Sequence, residues 1–311
     1  MKSQLFLCLL LVSSMAALAQ ESAPVAKGKP DQPVATAAQP LATGQRIFLC
    51  GHSFHFHVPA MLEEIAKLAG LQEQKIVGKS MIGGSQAIQH WNVKDENNQA
   101  KQALKAGEVD VLTLTPIYLP DDGMEKFAVF GLEHNPKLRI TVQEFWLPYD
   151  AYEPRYYNAP RIPAPKTVDH NAATVDRLRE IHQRYFEEMD QQIQKVNKQA
   201  GKQVLFVVPV GQAVIALREK IIAGQAPGLK SQEDLFTDPL GHARPPLQVL
   251  ATYCHFAVIY RKNPLGLPVP QALKQMKLPG DEAESLNRLL QELAWDAAVH
   301  HSLSGIAAPL K

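Results

Sequence analysis

Short apolar runs, each closed by a glycine, a proline or a polar break, alternate along this chain with longer segments whose apolar residues recur every three or four positions. The first run, Ile47-Phe48-Leu49-Cys50, is continuous, as expected for a strand buried on both faces. Lys75-Ile76-Val77-Gly78 is a weaker second run, and Val109 to Thr115 is a third, stopped by Pro116. Leu138 to Trp146, with Ile140 and Val142 alternating, is a fourth, and Gln203 to Pro209 is the fifth and most apolar. Leu62, Ile65 and Leu68 keep helical spacing before Gly70, and Ala87 to Trp91 and Met124 to Leu132 predict further helices. A long helix from about Ala172 to Ala200 carries one stripe, Leu178, Ile181, Tyr185, Met189, Ile193 and Val196, opposite a charged face. Pro246 to Tyr260 and Ala283 to His301 predict two more helices near the C-terminus. The order of elements predicts an α/β fold, a five-stranded parallel sheet between helical layers with right-handed crossovers.

Two stretches stand outside that alternation. At the N-terminus, Lys2, the apolar segment Leu5 to Val12 and Ala17-Leu18-Ala19 make the pattern of a secretory signal peptide over residues 1–19. Its apolar segment is too short for a finished membrane span, so release to a secreted or periplasmic location, without stable membrane insertion, is expected, with an uncleaved N-terminal anchor as the alternative. Residues 20–43, rich in Ala, Pro, Gln and Lys, read as a disordered linker, leaving 44–311 as an α/β domain with a C-terminal helical extension. The second stretch, Leu147 to Asn171, carries several prolines with Tyr149, Tyr152, Tyr156 and Tyr157. A loop of that length and aromatic content packs across the sheet edge or around a sugar ring.

Composition removes several function classes. The chain has 311 residues with 32 Lys and Arg against 31 Asp and Glu, a net charge of +1 that provides no field for nucleic acid. Beyond the signal segment only Cys50 and Cys254 remain, and they either pair or sit as two buried thiols.

The candidate chemistry gathers at the carboxyl ends of the strands, where open α/β sheets place their ligands. Gly51-His52-Ser53 breaks the first strand, and Val58-Pro59 opens a helix with Pro in its first turn. A serine at that turn is either a nucleophile with a helix N-terminus behind it or the cap of that helix. A serine nucleophile needs an oriented base. The downstream loop Asp234-Leu235-Phe236-Thr237-Asp238-Pro239-Leu240-Gly241-His242 offers one, because an imidazole titrates near working pH. Clustered imidazoles can hold zinc, so His52, His55 and His57 form a rival reading. Gln143, Glu144 and Trp146 end the fourth strand at the same edge, within reach of a substrate. His134, His170, His182, His255, His300 and His301 read as helix-face or surface residues.

The Ser53 turn, the loop Gly83-Gly84-Ser85 and the late Asp/His loop, in that order, resemble the SGNH (GDSL-like) hydrolase family over about Gln45 to Lys262. The resemblance implies a three-layer α/β/α flavodoxin-like fold and a serine esterase that acts without a metal or other cofactor. Its substrate would be a small-molecule or carbohydrate ester, commonly an acetyl ester. It implies Ser53 as nucleophile, His242 as general base and Asp238 as the carboxylate that orients it. The Ser53 and Gly83 N–H groups would form the oxyanion hole, with Gly84, Thr115 and His52 beside it. Three features depart from the family pattern. Asp238 and His242 are separated by three residues in place of two, which leaves Asp234 or a backbone carbonyl as the alternative orienting group. Leu114-Thr115-Pro116 stands where the family has Gly-x-Asn-Asp, and Thr115 would partly replace the asparagine donor. His52 stands where the family has a polar or acidic residue. The alternative that follows is a weak or inactive relative that only binds glycans.

Overall fold

The computed structural model describes residues 39–151 and 165–306. The expected signal peptide, most of the expected linker, and Tyr152, Tyr156 and Tyr157 lie outside the described residues. The end of that linker is docked, since Leu41 N–H donates to Tyr260 O at 2.9 Å.

Five strands form one sheet in the order β2-β1-β3-β4-β5: β1 Arg46–Gly51, β2 Lys75–Met81, β3 Val111–Leu114, β4 Arg139–Gln143 and β5 Leu205–Val208. Every pairing is parallel. This is the flavodoxin-like order, and its switch point falls between β1 and β3, where neighbouring connections leave in opposite directions. The expected fold is therefore the observed one: a parallel sheet flanked by helices. The fourth strand ends three residues earlier than expected, because β5 stops before Pro209 and offers only Val208 O to Glu144 N–H, at 3.0 Å.

The helices are α1 Val58–Leu68, α2 Ala87–Trp91, α3 Gln99–Lys105, α4 Asp122–His134 and α5 Val175–Ala200. After β5 come α6 Val210–Ile222, α7 Pro245–Tyr260, α8 Gln271–Lys274 and α9 Glu282–His300. Helices α1, α6, α7 and α9 pack as one layer, and α2, α3, α4 and α5 as the other. That division follows from crossover handedness, since only the β1-to-β2 connection runs against the others across the sheet. α3 and α6 were not evident from periodicity. α3 has a short run of small residues, and α6 (Val-Gly-Gln-Ala-Val-Ile-Ala-Leu) is apolar nearly all round because it is wedged between α5, α7 and α9.

β1, β3, β4 and β5 are buried along almost their whole length, while β2 is half exposed at the edge. β5 is the other edge, and the C-terminal segment covers it: Val207 N–H donates to Leu303 O at 3.0 Å. Covering an edge removes its open hydrogen-bonding groups. Cys50 and Cys254 are two buried free thiols, one of the two states expected of them, and burial raises the pKa of both.

Candidate active site

At the carboxyl edge β1 ends in Gly51 and the backbone turns twice before α1, with His55 N–H on His52 O at 2.8 Å and Val58 N–H on His55 O at 3.0 Å. Ser53 sits half-buried in the first of these turns. Gly51 is needed because a Cβ there would lie 2.6 Å from His55 Cδ2. Ser53 is not a helix cap: the N-cap of α1 is His57. The helix opens at Val58 with Pro59 in its first turn, as the sequence predicts, so the segment from Phe54 to His57 separates Ser53 from its N-terminus.

The chain brings the late loop to the same rim. His242 Nδ1–H donates to Asp238 Oδ2 at 2.6 Å. Asp238 Oδ1 accepts the backbone N–H groups of Gly241 and His242 at 3.1 and 3.2 Å. Burial alone would raise the Asp238 carboxyl, but the His242 ring and backbone donors outweigh it and hold the carboxyl below its ordinary range. The wider Asp-to-His spacing is accommodated by Gly241, whose φ of 96° lets the loop close on its own carboxylate. Asp234, the alternative, is committed elsewhere: its Oδ2 accepts from Lys230 N–H at 2.7 Å and Ser231 N–H at 2.9 Å. The His242 ring stands edge-on to Phe54, with centroids 5.3 Å apart, next in sequence to Ser53. Among the described residues the Ser53 hydroxyl has no hydrogen bond to the ring. Catalytic contacts are often loose before substrate closes the site.

Gly83 and Gly84 are exposed at the end of β2. Ile82 N–H donates to Gly51 O at 3.0 Å, which sets Gly83 just beyond the β1 terminus. Neither Ser53 N–H nor Gly83 N–H has an acceptor among the described residues. Thr115, buried, accepts His52 N–H at 3.3 Å, so its oxygen secures the turn. His52 also lies beneath the rim: it is 2% exposed, its Nδ1 accepts Phe54 N–H at 3.3 Å, and its Nε2 is sealed from solvent. Burial, reinforced by the charges His55, His90 and His242 would carry, lowers the pKa of His52 to about 3.

Behind the rim, Gln143 Oε1 accepts from His55 Nδ1–H and His255 Nε2–H, each at 2.8 Å, and Thr113 O–H reaches His55 Nε2 at 3.1 Å. Gln143 and Trp146 therefore support the site and do not line it, contrary to the expectation of substrate contact. Trp146 stacks on Phe54 at 4.7 Å and donates Nε1–H to Gly241 O at 2.7 Å, joining both halves of the rim. His90 bridges Ser80 and Ser85, each at 2.7 Å, across the Gly83-Gly84 loop. His182 and His255 lie on helix faces, as expected, and both are buried, and His170 and His301 are buried too and not surface residues.

The His52 and His55 rings serve separate partners, His57 Nε2 is buried without one, and the three do not come together as a ligand set among the described residues, which removes the basis of the zinc reading. Among the described residues one group, Glu144, Asp190 and His301, brings three ligand-type atoms within 4.8 Å of one another. His301 Nδ1 accepts Leu303 N–H at 3.2 Å, so its proton is on Nε2, 3.2 Å from Glu144 Oε1. A metal would require a lone pair there, and the group is an ion cluster pinning the C-terminal segment to β4.

No protein-family model matches this chain, and no curated protein sequence matches it. Among solved structures, a candidate GDSL-like lipase from Parabacteroides merdae is similar over 69% of this chain and 98% of its own, with 12% identity and a TM-score of 0.40. WcbI, described as a polysaccharide biosynthesis enzyme, is similar over 84% of this chain and 97% of its own, with 14% identity and a TM-score of 0.35.

The contacts of Trp146 and His170 with the late loop had no signal in the sequence, because each joins residues far apart through one side chain without any period.

Proposed function

We propose that this protein is a secreted serine ester hydrolase of the SGNH type that removes acyl groups, acetyl above all, from a small-molecule or carbohydrate ester. In this reading Ser53 Oγ attacks the ester carbonyl carbon while His242 Nε2 takes the hydroxyl proton. The oxyanion is held by the Ser53 and Gly83 N–H groups, each donor contributing about 3 kcal/mol. The intermediate collapses as the ester C–O bond breaks, and His242 returns the proton to the leaving alcohol. Water, activated by the same imidazole, then releases the acid. Asp238 keeps the Nδ1 proton in place and leaves Nε2 free to act.

The observation that carries the reading is the 2.6 Å Asp238–His242 contact beside the Ser53 turn. Ser53→Ala should lower kcat/KM for p-nitrophenyl acetate by at least about 1000-fold with the fold intact, and a variant as fast as the parent sinks the proposal. The absence of an asparagine donor after β3, where Thr115 stands, favours a second reading, a glycan-binding module without turnover. Covalent labelling of Ser53 by a fluorophosphonate excludes it. Detection of the mature chain in culture medium or periplasm, with residues 1–19 removed, tests the location.

A further inference from the structure

The loop that holds Asp238 is fixed from outside by a buried ion network. Arg218 of α6, 2% exposed, forms a two-pronged pair with Asp150, Nη1 to Oδ1 at 2.5 Å and Nη2 to Oδ2 at 2.9 Å. Its Nε reaches Gln232 Oε1 at 2.6 Å, and Nη2 also reaches His170 O at 3.0 Å. Asp150 and its neighbour Tyr149 hold φ of 51° and 58°, left-handed values uncommon for non-glycine residues. Strained backbone of this kind persists only where surroundings over-determine it, and Arg218 with His170 does so here.

His170 stands between that network and the late loop. Its Nδ1 meets Asp150 Oδ2 at 2.9 Å, and its Nε2 meets the backbone oxygen of Asp238 at 3.4 Å. Both ring nitrogens thus face oxygens that only accept, and the imidazolium is the one state that gives each a proton. The ring lies against Phe236 with centroids 4.3 Å apart.

We propose that His170 is a positioning residue whose imidazolium, bridging Asp150 and the Asp238 carbonyl, fixes the loop that presents Asp238 to His242, and that the site loosens when this ring gives up its proton. The inference rests on the assignment of Asp238 and His242 made above. The charged groups facing the ring are Asp150 after β4, Arg218 on α6 and Glu233 in the turn 232–235, and the Asp238 loop presents its backbone carbonyl. Burial works against the charged ring, yet Asp150, Glu233 and the Asp238 carbonyl outweigh it, and the pKa of His170 is raised. Loss of the proton removes one of two donors. The longer bond, to Asp238, is the one expected to go.

His170→Ala should lower kcat about tenfold with KM within twofold of the parent, because small misplacements of reacting groups cost rate. The parent kcat should fall as pH rises through the His170 titration, and the variant should lack that limb. The decisive readout is the His242 ring followed by NMR in the full chain. In His170→Ala its low-field Nδ1 proton signal should weaken. If the variant fails to fold, His170→Gln is read by the same criteria with a smaller amplitude expected. A folded variant whose His242 Nδ1 proton signal superimposes on that of the parent overturns the proposal. The NMR signals do not depend on Ser53, so full activity in Ser53→Ala would refute the hydrolase reading and leave this test standing.

Discussion

At the rim of the sheet the side chains of His242 and Asp238 keep 33% and 39% of their surface open to solvent. One layer below, His52, His55 and His255 have almost none. The exposed ring is paired with a carboxylate, and its Nε2 has no partner among the described residues. The buried rings hold Gln143, Thr113 and a backbone N–H, His52 Nε2 and His255 Nδ1 are sealed without a partner, and the charged forms are suppressed by desolvation. In the proposed reading the same side chain thus does two jobs in neighbouring layers. Where water and a carboxylate are both present it can move a proton, and where neither is present it braces the backbone that presents Ser53.

The contrast can be broken from either side. The largest effect belongs to the rim: His242→Ala should reduce esterase kcat by about 10³–10⁴-fold, and Asp238→Asn by about 10²-fold or more. Neither should move the urea midpoint far, since both side chains are partly solvated.

Acid strikes the lower layer next. Burial lowers the pKa of His52 and His57 to about 3, and of His55, His90 and His182 to about 4, against about 6.5 in an unfolded chain. The unfolded state therefore binds more protons between those values. Stability is present above about pH 6.5 and is lost as pH falls toward 4, by up to about 1.4 kcal/mol per pH unit for each such ring. His170 and His301 have raised pKa values and act in the opposite sense, their contribution fading as pH rises through those values. Urea midpoints at pH 7, 6, 5 and 4 should decline steeply, and a flat series would contradict the neutral buried layer.

Single changes in the lower layer are smaller. Gln143→Leu removes the acceptor shared by His55 and His255 and should cost about 2–4 kcal/mol, read from the urea midpoint. Gly51→Ala forces a Cβ against His55 and should cost about 1–3 kcal/mol, with some activity lost as Ser53 shifts. Least of all, Arg288→Ala removes an exposed pair with Glu292 on α9 and should change stability by no more than about 0.5 kcal/mol. A larger change would mean that surface charge, not burial, sets the stability of this domain.

All five strands were legible from short apolar runs, since a parallel sheet buried on both faces leaves that mark in local composition. The amphipathic helices α5 and α9 were legible for the same local reason, their apolar positions repeating with the helical turn. Ser53 and the Asp238/His242 loop were legible as candidates because turns between strands and helices draw on few residue types, and Gly83 was a candidate only through the family resemblance. What the linear pattern could not contain were the relations. Only the folded chain distinguished Asp238 from Asp234 as the partner of His242, buried His52 below the rim, turned Gln143 and Trp146 inward as supports, and set His170 between Asp150 and the Asp238 loop. Each of these depends on which groups lose their water together, and desolvation is a property of three-dimensional neighbours, not of sequence neighbours.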